Sequence, residues 1–294
     1  MLAVALGGCG LGKSHKGAST VKLTVTRDFG THGVDRSVDL KPAPDSTSIS
    51  LLGGQNEVVR DANGGVQSIG GVRAGAGEQW FQYINGVAAD TQSQGTQVYP
   101  GDRVWWDLHA SDALGASAAV VGSFPEPFLD GQDGKRLPVT LECATNVQSA
   151  CNKVASALAN AGIPVALQGL GTGSGQQTLG VVVGLWTDLR SQLDATLISH
   201  GPGASGVFAK FDTRGGAGPQ LDLLDRQGTV RQTLGAGSGL VAATRDSQNA
   251  PTWLITGTDQ AGVLAAAGSL TAHRLHDHFA LAVQGGKYIP VPVT

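Results

Sequence analysis

The sequence predicts an α+β protein in which an N-terminal β-rich domain with one short helix precedes a C-terminal α/β layered domain. Three observations carry that prediction. Residues 80–84 and 103–109 are strand-like aromatic runs, one followed by the turn signal Asn85-Gly86 and the other preceded by Pro100-Gly101-Asp102. Beyond about residue 140, apolar strand-like runs alternate with Ala-rich helical ones. At 294 residues, the chain is also long enough for two domains.

Taken in order, residues 10–20 read as a Gly/Ser/Lys tether, and residues 21–27 as a strand of alternating apolar and polar residues that Asp28-Phe29-Gly30 breaks. Ile49, Leu52 and Asn56 recur at helical spacing and predict a short helix within 46–60, although Gly53-Gly54 weakens it. Residues 66–69 form a short strand. In 103–109, Val104, Trp106 and Leu108 point one way, and Trp105, Asp107 and His109 the other. Residues 137–142 predict a strand that leads to Cys143. A helix follows over 147–161, capped by Gly162. Strands at 179–185, 206–211, 253–257 and 279–283, helices at 186–198 and 260–270, and a hairpin around Asp225-Arg226-Gln227-Gly228 complete the second domain. The predicted boundaries are a leader and tether at 1–20, the β domain at 21–142 and the α/β domain at 143–294.

The spacing Trp80-x-x-Tyr83-x-Asn85-Gly86, followed by Gly101-Asp102-x-Val104-x-Trp106, resembles the transcobalamin-like C-terminal domain, which in bacterial surface proteins is of the DUF4430 type. The resemblance covers roughly residues 20–110. It implies a β-grasp-like sheet with one helix packed on it, and it implies cobalamin or a related corrinoid as ligand. The vertebrate carriers of this family close their site with a large helical barrel, and nothing in this sequence looks like one. The second half of the chain resembles no family.

The aromatic strands supply the first candidate ligand-binding site. Trp105, Asp107 and His109 share one face of their strand, and Trp80 and Tyr83 adjoin it if the strands pair. Aromatic rings beside a few polar groups suit a flat amphipathic ligand, which requires this face to be open. The plainer alternative packs Trp105 against the second domain and leaves His109 a solvated or hydrogen-bonded bystander. A second cluster, His273, His276 and His278, has no single conformation that aligns all three on a metal, and it reads more simply as a solvated helix end. Thr258 and Asp259 join a strand to a helix; an N-cap is the simple account, and an anion site at a strand end is the functional one. Gly201–Gly206 gives the same double message. Gly171-Thr172-Gly173-Ser174-Gly175 has the letters of a nucleophile elbow without the strand and helix that one requires.

Residues 1–14 fit two incompatible motifs. Gly7, Gly12, Lys13 and Ser14 satisfy the P-loop pattern, but the residues that follow form a strand and not the helix a P-loop needs. Leu6-Gly7-Gly8-Cys9 reads as a lipobox with Cys9 as the lipidated residue; its apolar stretch is short and lacks a preceding Lys or Arg, both of which an upstream start codon would supply. A plain tail with a chance cysteine is the third account. Cys143 and Cys151 have no third Cys or nearby His with which to hold zinc, so a short-loop disulfide is the natural pairing in an oxidising compartment. The formal net charge of −3 gives no basic footprint for nucleic acid, and no apolar run is long enough to span a bilayer. The sequence thus predicts an extracytoplasmic, lipid-anchored, non-catalytic protein. Its partners would be a small-molecule ligand or a membrane uptake system, with cobalamin or another corrinoid the ligand implied by the resemblance and no cofactor of its own. The alternative is a cell-surface interaction module that binds a protein or the cell wall through the aromatic domain.

Overall fold

The computed structural model describes residues 17–89, 95–112, 114, 116–173, 175–216, 218–247 and 249–294. Cys9 and the P-loop-like run therefore lie outside the described residues, as does Ser174. The chain is a mixed α/β protein, mostly strands in several sheets with few helices.

The first half contains β1 (Val21–Arg27), β2 (His32–Gly33), β3 (Val38–Leu40), α1 (Ser48–Gln55), β4 (Val58–Arg60), β5 (Val66–Ile69), β6 (Val72–Arg73), β7 (Glu78–Ile84), β8 (Val87–Ala89) and β9 (Arg103–Ala110). Its main sheet runs β2-β1-β9-β7-β8, with β3 also paired to β1; β1 lies parallel to β9 in the middle, and β7 is antiparallel to β9. The Asn85-Gly86 signal does what its composition dictates: both residues have positive φ, 53° and 76°, and they turn β7 directly into β8. α1 starts at a capping box in which Thr47 and Ser50 satisfy each other's amides, and it buries Leu52. It is the short helix expected within 46–60, and it ends before the β-branched pair Val58-Val59, which continues as β4.

A connecting segment leads to β10 (Val139–Cys143), α2 (Gln148–Asn160), β11 (Ala166–Gly169), β12 (Leu179–Leu185), α3 (Trp186–Leu189), α4 (Leu193–Ser199), α5 (Pro202–Ser205), β13 (Ala209–Asp212), β14 (Gln220–Leu224), β15 (Val230–Leu234), β16 (Ser238–Thr244), β17 (Thr252–Gly257), α6 (Gln260–Gly268), α7 (Ala272–Leu275), β18 (Ala280–Gln284) and β19 (Lys287–Val291). Seven strands form one sheet in the order β11-β10-β12-β17-β16-β18-β19. β10 belongs to this sheet, paired in parallel with β11 and β12, whereas the sequence boundary left it in the first domain. The predicted helix at 186–198 is two pieces, α3 and α4, and the predicted strand at 206–211 is confined to β13. β16, an interior strand of this sheet, is not legible in the sequence, because Gly239, Ala242 and Ala243 give it low β-propensity. The Cys143–Cys151 disulfide ties the end of β10 to α2.

The large sheet has two covered faces. On one, α2 and α6 pack Val154, Leu158, Val263 and Ala266 against Leu141, Val181, Trp253 and Ile255. On the other, Val182, Leu240, Leu254 and Ala282 share a core with Trp186, Ile198, Phe208 and Leu221. Phe29, Tyr83 and Trp105 of the first half enter that same core, so the two halves meet in a continuous apolar seam. A third core, with Leu23, Leu52, Trp80 and Trp106, lies on the far side of the N-terminal sheet.

The seam is tight at Gly30, whose φ is +81° and where a Cβ would run into the Asp277 carbonyl. Gly30→Ala is therefore expected to lower stability by about 3 kcal/mol in denaturant unfolding, from a steric clash and left-handed strain together. Gly53→Ala, in open space within α1, is the control and raises stability by up to about 1 kcal/mol.

Candidate functional site

The alternation of β9 holds as its sequence predicts, but both of its faces are buried. Pairing with β7 sets Asp107 beside Phe81 and Trp105 beside Tyr83 on one face, and Leu108 beside Trp80 on the other. Trp80 therefore belongs to the far core and does not adjoin Trp105, Asp107 and His109. All five candidate residues, Trp80, Tyr83, Trp105, Asp107 and His109, are at most 2% exposed. The open aromatic face expected from the sequence is thus a buried seam. This overturns it as the surface for a flat ligand or for a partner protein. The cause is Phe279, on the turn before β18, which fills the space over these rings. Its ring lies 5.1 to 5.5 Å from those of Phe29, Tyr83, Trp105 and His109, at steep edge-to-face angles.

Asp107 is the polar centre of this seam. It accepts hydrogen bonds from Thr26 Oγ1 (2.5 Å), the amides of Phe29 (3.0 Å) and Gly30 (2.9 Å), and His109 Nδ1 (2.7 Å). An ionised carboxylate only accepts, so the bond places the imidazole proton on Nδ1. Asp28, Phe29 and Gly30 all have positive φ, an arrangement that turns successive amides toward one point and makes a receptor for a negative group. Asp107 fills that receptor from within the chain. Thr26 Oγ1 in turn accepts from Trp105 Nε1 at 2.6 Å. The His109 ring is stacked between Phe29 and Phe81, at 4.3 and 4.1 Å. Burial, and then the Asp107 charge, hold the Tyr83 phenol well above its ordinary value. The Asp107–His109 pair has the composition of an acid–base dyad, but its position between phenyl rings makes it a structural tie.

The other sequence candidates have local partners. His276 faces Asp277 at 3.0 Å, and burial lowers the His278 pKa. Among the described residues no group of three or more His, Cys, Asp or Glu is placed to hold a metal ion. Asp259 caps α6, accepting from Gly262 N and Gly237 N, and Thr258 Oγ1 accepts from Ser238 N. A crevice of about 320 Å³ opens between the first turns of α2 and α6, where Gln260 Nε2 donates to the Asn146 carbonyl and Asn146 Nδ2 to Asp188.

Two features of the seam's flank escape a sequence reading. One is a carboxyl cluster. Asn85 Nδ2 donates to Asp102 Oδ1 and to the Gly131 carbonyl, and Asp130 N donates to Glu126 Oε2. Burial first, and then the Asp130 charge, push Glu126 up to about 8, against the pull of the Asp130 amide and of Arg103. Burial likewise raises Asp102 to about 6. The other is a cleft of about 200 Å³ where the β7–β8 hairpin, the turn at Gln132-Asp133 and Arg245 converge. No sequence motif marks Arg245, and Gln132 is marked only as part of a turn, because the two meet only through the fold.

Residues 53–110 match a domain of unknown function, DUF4430. The matched segment runs through β9 and contains all five aromatic-site candidates. No curated protein matches the chain in sequence. Among solved structures, a "putative metal binding protein" from Ruminococcus gnavus is similar at 15% identity and a TM-score of 0.25; the match covers 32% of this chain and 99% of that one.

Asp107→Asn exchanges one acceptor oxygen for a donor facing donors, and should cost about 3 kcal/mol, a fall in Tm of roughly 6–12 °C in calorimetry. Glu126 is held protonated in the folded protein, so its stabilising contribution is complete below its ordinary value of 4.5 and is lost as pH rises toward about 8. Wild-type Tm should therefore fall across that interval, and Glu126→Gln should flatten the fall while leaving the Asp130 amide an acceptor.

Proposed function

We propose that this chain is an extracytoplasmic, non-catalytic binding protein that takes a small ligand at the open end of the seam between its halves. The observation that carries this reading is the contrast between two parts of that seam. The Asp107–His109 pair, which could otherwise perform acid–base chemistry, is sealed between aromatic rings. The cleft at the β7–β8 hairpin opens to solvent with an apolar floor, amide groups, the Arg245 guanidinium and the Asp133 carboxylate, a composition suited to holding a molecule. The match at residues 53–110 supports a transcobalamin-like module in the first half. Its corrinoid is not retained in this proposal, because Phe279 occupies the face assigned to it and the open cleft is small for such a macrocycle. The lipobox at Leu6-Gly7-Gly8-Cys9 supports anchoring through a diacylated Cys9, which would hold the binding domains at the membrane surface for an uptake system. A disulfide between Cys143 and Cys151 accords with an oxidising compartment.

Two measurements check this. Titration of the full chain with cyanocobalamin and cobinamide, followed by tryptophan fluorescence and corrin absorbance, should give no saturable change; saturable micromolar binding would return the corrinoid to the aromatic face. In a bacterial host that exports the chain, labelled palmitate should enter the wild-type protein and not Cys9→Ser. Equal labelling of the two, or none, would remove the anchor.

A further inference from the structure

The seam cleft has unmet hydrogen-bond donors of a specific kind. Its floor is apolar, built by Ile84, Val87 and Ala88 of the β7–β8 hairpin. Arg245, just beyond β16, reaches it from the other half of the chain. Nε of Arg245 donates to the Asn249 carbonyl at 2.8 Å, which fixes the guanidinium plane. No hydrogen bond or ion pair engages its two terminal nitrogens among the described residues. Gln132, from the connecting segment, lines the same cleft, and its Nε2 is shielded from solvent without a hydrogen-bond partner. A shielded amide donor left unmatched is costly, and a fixed guanidinium presents a fork that matches a carboxylate. Asp133 lies at the exposed rim and is the charged neighbour of Arg245. It leaves the cleft with little net charge, which disfavours a dianion such as phosphate.

The geometry points to this cleft as a binding site for a short aliphatic monocarboxylate, whose carboxylate accepts from the terminal nitrogens of Arg245 while its chain lies on Ile84, Val87 and Ala88. The inference rests on the binding reading above and names the ligand class for it. A cavity of about 200 Å³ suits a branched acid of the size of 4-methylpentanoate. The crevice between α2 and α6 is larger, but Gln260 Nε2 already donates to the Asn146 backbone carbonyl and Asn146 Nδ2 to Asp188, so it presents no comparable demand.

The test is calorimetric titration of the full chain with 4-methylpentanoate, its neutral amide 4-methylpentanamide, and inorganic phosphate. The carboxylate should bind saturably, with the amide weaker by about tenfold or more, since a charge-assisted bond is lost. Phosphate should not compete. Arg245→Gln should weaken the carboxylate by a similar factor, and Gln132→Glu, which adds a second negative group to the cleft, should abolish binding. The Tm of each variant shows whether it is folded, and Gln132→Glu decides the matter if Arg245→Gln is not. No saturable binding of 4-methylpentanoate, or equal binding of its amide, overturns the ligand class. Binding that survives both substitutions overturns the site while leaving a binding protein. Failure of the ligand class leaves the anchoring and corrinoid results to judge the broader reading separately.

Discussion

A carboxylate removed from water must have its lone pairs filled, and Asp107 fills them from β1, from the turn after it and from its own strand. Each donor brings a structural consequence. The Phe29 and Gly30 amides hold a turn of three successive residues at positive φ, a conformation that two non-glycine residues adopt only with strain of order 1–3 kcal/mol each. Thr26 relays the bond to the Trp105 indole, and His109 is fixed between two phenyl rings. Together these present a shaped aromatic wall, and Phe279 closes it from the second half.

The consequence for function follows from surface area. Phe29, Tyr83 and Trp105 are large side chains whose burial stabilises by roughly 1.5–3 kcal/mol each, and here the cover is part of the same chain. A ligand on that face would have to displace Phe279 and reopen a core shared by both halves. Binding at the flank, where the hairpin, the connecting segment and Arg245 meet, disturbs none of this. The halves thus act as walls of one seam, with the packed part giving rigidity and the open end offering unmatched donors.

How much of this was legible in the sequence depends on the range of the interaction. The Asn85-Gly86 turn, the two faces of β9, the helix at α2 and the Cys143–Cys151 pairing are local or periodic, and all are present. The exposure of Trp105 and His109 was not legible, because alternation separates two faces without saying what covers either. Phe279, far beyond β9 along the chain, sits in a stretch whose visible signal was histidine. Trp80 was misplaced for a simpler reason. It shares a face with Tyr83 only if parity is ignored: residues three apart on a strand point to opposite sides. Asp28-Phe29-Gly30 was legible as a break in β1, but not as the receptor for a carboxylate far along the chain. Arg245 carries no motif, and Gln132 only the turn signal Asp130-Gly131-Gln132-Asp133-Gly134.

Native-state hydrogen exchange at the Phe29 and Gly30 amides reads out whether the seam is sealed, since both donate to Asp107. If Phe279 locks the turn that this carboxylate holds against the second half, so that the halves form one cooperative unit, these amides should exchange only through global unfolding. Their opening free energy and denaturant dependence should equal those of Val181 and Leu254 in the large sheet. Exchange of Phe29 and Gly30 through a lower-energy opening, with the large sheet still protected, would show that the N-terminal sheet lifts away on its own. The aromatic face would then be an available surface, which contradicts a seam sealed by Phe279.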